Sequence, residues 1–119
     1  MLTDKVTKKS LFGRLPDELA KAYGVQRYRV AQEMHATWSA VVQASRPFKA
    51  TDRMLLSMAD LLRRHGLMIG VDDTDMVAKL REWSEAPAQE ANAEFVEFVN
   101  SIHKAGRAAR ELADREVQA

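Results

Sequence analysis

The chain contains no cysteine, which removes disulfides, thiol nucleophiles and thiolate metal ligands together and fits a reducing compartment. No apolar run approaches the roughly 20 residues that span a bilayer, and the opening MLTDKVTKKS has charge but no signal-peptide core. A cytoplasmic protein with no membrane contact is therefore the expectation. Only three prolines and five glycines punctuate 119 residues, with no internal repeat or low-complexity linker, and two-residue strand alternation is almost missing. The formal net charge is only +1, which weighs against a dedicated polyanion binder.

What is present is ordinary for a soluble domain with a real core. The hydrophobic content of 46% in a chain of this length predicts one domain, with residues 1–10 as a flexible basic arm and 11–119 as a single all-α unit. Four or five helices should form the bundle. Pro16 suits the first turn of a short helix over Pro16–Tyr23, which Gly24 ends. Val30, Met34, Trp38, Val41 and Val42 recur at three- and four-residue steps, predicting one continuous helix over Gln26–Ser45, closed by Pro47. Thr51 or Asp52 caps a helix bearing Met54, Leu55, Met58, Leu61 and Leu62, with Gly66 past its end. Leu67–Val71 reads as a buried connection or one extended segment. Asp72, Asp73 and Thr74 open a helix with Met76, Val77, Leu80 and Trp83, which Pro87 closes. A last helix starts near Ala88, with Phe95, Phe98, Val99 and Ile102 on one face. Beyond Gly106 its stripe thins, so the tail should project or need a partner. The stripes Val30–Val42 and Phe95–Ile102 exceed what so short a chain easily buries, which predicts a homodimer.

Two functional readings share residues 16–35. In the first, Ala20, Gly24 and Val30 fall where a DNA-binding helix-turn-helix needs a small residue, a turn glycine and an apolar anchor. Gln26, Arg27 and Arg29 then reach phosphates or base edges. The charge distribution is compatible, since Lys5, Lys8, Lys9, Arg14, Lys21, Arg27 and Arg29 outnumber the acids of the first 31 residues. Glu33, however, stands where that motif buries an apolar side chain. In the second reading the corner is ordinary bundle architecture, and an adaptable methionine-rich face docks a protein. That face is drawn from Met34, Trp38, Met54, Met58, Leu62, Leu67, Met68 and Ile69.

Catalytic chemistry finds no support. His35, His65 and His103 fall on three different predicted helices without a ligand pair at i,i+4, so no metal site is expected. Asp72, Asp73 and Asp75 resemble the start of a calcium loop but lack its glycine and closing glutamate, which leaves capping as their role. Glu82, Glu85, Glu90, Glu94, Glu97 and Glu111 read as solvated helix faces. No cofactor and no enzymatic activity are expected.

Glu33-Met34-His35-Ala36, followed by Ser39-Ala40, is similar to a stretch of the TraM antiactivators. The size, the lack of cysteine and the helical pattern resemble those of the QslA group. Both are small helical proteins that restrain LuxR-type quorum-sensing activators in bacteria. The resemblance implies a helical dimer that binds the regulator and blocks its dimerisation or promoter binding. The expectation is thus a regulatory protein acting on a transcription factor by protein–protein contact, with direct DNA binding as the alternative.

Overall fold

The computed structural model describes residues 8–67 and 72–118. Ser10 is fully buried: its backbone N–H donates to the Ser45 carbonyl at 2.8 Å, and its hydroxyl accepts from the Gly13 N–H at 2.9 Å. The Lys9 carbonyl accepts from the Ala88 N–H at 2.8 Å, so Lys9 and Ser10 are fixed parts of the domain, not of a flexible arm. Residues 1–7 lie outside the described residues.

The Ser10 cap also corrects the expected start of the first helix. α1 spans Leu11–Tyr23, with Pro16 inside it and not at its first turn. A proline there deletes one helical hydrogen bond. The cap and the complete burial of Leu11 and Leu15, with Phe12 at 2% exposure, offset that loss. α1 is buried on most sides and packs against four other helices, which makes it the axis of the molecule.

The expected long helix over Gln26–Ser45 is two short ones, α2 at Arg27–Glu33 and α3 at Trp38–Ala44. His35 takes the left-handed region (φ 57°), and the Thr37 hydroxyl accepts from the Ala40 N–H to begin a new helix. The Thr37 cap competes with continuation, because it satisfies an amide that an uninterrupted helix would have bonded to its own backbone.

The next boundaries agree with the sequence reading. α4, Asp52–Arg64, is capped by Thr51, and Gly66 turns the chain with φ 73°. Leu67 is buried, whereas residues 68–71, where an extended segment was considered, lie outside the described residues. α5, Asp73–Ser84, is capped by Asp72, whose side chain accepts from the Asp75 N–H at 2.9 Å. Ion pairs Asp52–Arg81 and Arg63–Asp73 join opposite ends of α4 and α5, so these helices run antiparallel. α6, Ala93–Gln118, starts five residues later than Ala88, because the Asn92 side chain accepts from the Phe95 N–H. These six helices, with one isolated bridge between Ser10 and Pro87, make the described residues all-α.

The core lies where α1, α5 and α6 meet. Trp83 is fully buried, with Phe95 edge-on at 4.9 Å and Phe98 at 5.6 Å between ring centroids. Arg14 lies 5.0 Å from the centre of the Phe95 ring. The Trp83 indole N–H has no acceptor, so this site favours packing over polar satisfaction. α1 and α6 run parallel: Arg14 meets Phe95, Glu18 pairs with His103 at 2.8 Å, and Gly106 sits against the Ala22 carbonyl. When Gly24 turns α1 away, α6 continues alone, and residues 107–117 are all exposed as the thinning stripe predicted.

One chain buries most of the two stripes that suggested a homodimer: Val30, Met34, Val41, Phe95, Phe98 and Ile102 are each at most 8% exposed. Trp38 stays half-buried and Val42 is 43% exposed, so part of the first stripe remains at the surface.

Candidate functional site

The break at His35 decides which apolar side chains reach solvent. In one continuous helix Met34 and Trp38 would share a face. Here Met34 ends α2 inside the core at 1% exposure, while Trp38 begins α3 half-buried at the surface. Gly24 has a comparable effect at the other end of α2. Its left-handed conformation (φ 66°) swings Val25 and Gln26 outward, and Tyr28 follows at 52% exposure.

Between these elements runs an open groove. One hollow of about 560 Å³ is lined by Asp17, Ala20 and Lys21 of α1, by Val25 and Gln26 of the turn, by Arg27 and Tyr28 of α2, and by Trp38. A smaller hollow of about 90 Å³ shares Asp17 and Trp38 and continues past Pro16, Val42 and Arg46 towards Lys8 and Lys9. Gly13 lies in its wall because α1 and α3 touch there; a β-carbon at this position would collide with the Ser45 backbone.

The groove has an apolar floor and a basic rim. Val25, Tyr28, Trp38 and Val42 present carbon surface, and Lys8, Lys9, Lys21, Arg27 and Arg46 face a single carboxylate, Asp17. Asp17 binds Lys9 Nζ at 2.7 Å through Oδ2 and stands 3.0 Å from Arg27 Nε through Oδ1. The Arg27 N–H is not aligned with Oδ1, which stays buried without a hydrogen-bond donor. Among the described residues Lys8, Lys21 and Arg46 have no carboxylate partner, so their charge faces solvent uncompensated. On the opposite side of α2, Tyr23 stacks on His65 with ring centroids 4.4 Å apart, and burial pushes its phenol pKa up.

The methionine-rich docking face is corrected by this packing. Met34, Met58, Leu62 and Leu67 are core residues, with exposures of 1%, 0%, 0% and 6%. Met54 and Trp38 are half-buried, and Met68 and Ile69 lie outside the described residues. The physical reason is that α4 directs its stripe against α5 and the core, not alongside a long central helix. Among the described residues of that set, Trp38 alone lines the groove. The sequence reading missed Val25, Tyr28 and Val42 as a surface: it counted Val42 in the stripe itself and gave Val25 and Tyr28 no part in a docking face. The signals available were Thr37, a cap inside an apparent helix, and Tyr28, which stands off the stripe.

Of the helix-turn-helix residues, Ala20 and Val30 are buried and Gln26, Arg27 and Arg29 exposed, as in any helix-glycine-helix corner of a bundle. α2, however, is only seven residues long, about two turns. Glu33 is accommodated by polar neighbours: its carbonyl accepts from Arg64 at 2.6 Å and its carboxylate lies 3.6 Å from His65. His35, His65 and His103 are separate, and no cluster of three metal-ligating side chains occurs among the described residues. Set against protein-family models, curated proteins and solved structures, the chain matches none of them.

Proposed function

We propose that the protein is a non-enzymatic regulatory module that seats part of another protein in the groove floored by Val25, Tyr28, Trp38 and Val42. The target class follows from the resemblance to the TraM and QslA antiactivators: a transcriptional regulator, held so that its dimerisation or promoter binding is blocked. The observation that carries the reading is the half-exposed Trp38 beside the exposed Tyr28 at an open hollow of about 560 Å³. Aromatic side chains with one face in a concave site are the usual anchors of protein interfaces.

The test compares the wild-type chain with Trp38→Ala and Tyr28→Ala in nuclease-treated pull-downs from the native cell, followed by binding measurements with the purified captured protein. Each substitution should weaken binding by roughly 2 kcal/mol, about thirtyfold, and Tyr28→Ala, at an exposed position, should do so with little change in melting temperature. Retention of full affinity by both variants would remove the groove as the docking site.

A second reading, direct DNA binding, is favoured by the exposed Gln26, Arg27 and Arg29 at the start of α2. It expects the captured material to vanish on nuclease treatment. Arg29→Ala should then weaken binding at every salt concentration and reduce the salt dependence by about one unit of slope.

A further inference from the structure

We infer that the occupant of the groove is an acidic, amphipathic helical segment of the partner; this rests on the protein-docking reading and specifies the chemistry of what docks. Charge complementarity is the first argument. Five cations to one carboxylate line the groove, and that carboxylate is already engaged by Lys9 and Arg27. The remaining positive charge, on Lys8, Lys21 and Arg46, stands at the rim, where acidic residues flanking an apolar anchor would meet it.

Shape is the second argument. The α1 wall of the groove runs from Gly13 through Pro16, Asp17 and Ala20 to Lys21, eight residues on, or about 12 Å at the helical rise. That length holds about two turns of a helix, enough for anchors at i, i+4 and i+7 over a floor that includes Val42, Trp38 and Tyr28. The floor favours a peptide over nucleic acid, because Val25, Tyr28, Trp38 and Val42 offer carbon surface to apolar anchors.

The test is a display selection of random helical 18-residue peptides on the full chain. Binding of the selected peptides is then followed by Trp38 fluorescence, with Trp38→Phe as the blank. The expected result is enrichment of Asp and Glu around apolar residues at i, i+4 and i+7. Their affinity should fall about threefold for each of Lys8→Glu, Lys21→Glu and Arg46→Glu, and further as salt rises. These cations are at the surface, so their reversal should leave the helical circular dichroism unchanged. Selected peptides that are neutral or basic yet displaced by Trp38→Ala would overturn the acidic occupant and leave the groove reading standing. Recovery of no peptide that depends on Trp38 overturns both. Displacement of the acidic peptides by oligothymidylate at lower concentration than by unlabelled peptide would assign the groove to nucleic acid instead.

Discussion

Phe48 adopts the left-handed conformation (φ 66°) and exposes 71% of its surface, while its N–H donates to the Ser84 carbonyl at 2.9 Å. A bulky residue is strained there by roughly 1–2 kcal/mol, which glycine escapes at an entropic cost in the unfolded chain. Phe48→Gly and His35→Gly should therefore each raise stability by about 0.5–1 kcal/mol in urea titrations. The reverse holds where glycine makes room: Gly106→Ala drives a methyl group into the Ala22 carbonyl and should cost about 1–3 kcal/mol. Two groups contribute to stability on the alkaline side. The ion pair with Glu94, 2.7 Å away, leads the causes that hold the Lys79 pKa above its ordinary value, and burial does the same for the Tyr23 phenol. In both, the folded chain retains a proton that the unfolded chain releases. Their contribution to stability is therefore complete below about pH 10 and is lost as pH rises beyond it. Tyr23→Phe should flatten part of that loss when urea midpoints are measured against pH.

At the scale of elements, legibility depended on whether a cap competed with a stripe. Thr51, Gly66 and Asp72 marked boundaries that apolar periodicity also marked, and α4 and α5 stand where the sequence placed them. Thr37 and Ser10 acted against periodicity. Thr37 divided a stripe that looked continuous, and Ser10 began a helix five residues before the proline that seemed to open it. The docking surface was misplaced for the same reason, since the break after Met34 sends that side chain inward and leaves Trp38 at the groove. Thr37→Ala should cost about 1 kcal/mol through the lost cap and increase the mobility of Trp38, read as faster fluorescence depolarisation. α6 makes a separate expectation testable. Its residues 95–106 are held by α1, whereas 107–117 are exposed, so amide exchange should be slow in the first part and near the unprotected rate in the second.

For the whole molecule, α1 and α6 lie side by side in parallel but end at different heights, and the unmatched length of α6 sets the outline. The principal extents are 52 × 34 × 28 Å. A particle of that outline meets more friction than a sphere of equal mass, so it should diffuse slowly and elute early from a sizing column. With most of the two stripes inside one chain, light scattering should return the monomer mass of 13.4 kDa at tens of micromolar protein. A scattered mass twice that value would show that a second copy covers an exposed face, such as the one that holds Trp38 and Val42. Truncation after Arg110 provides the hydrodynamic control: it should shift elution later by far more than the lost mass explains, because the residues removed are those that lengthen the tumbling axis.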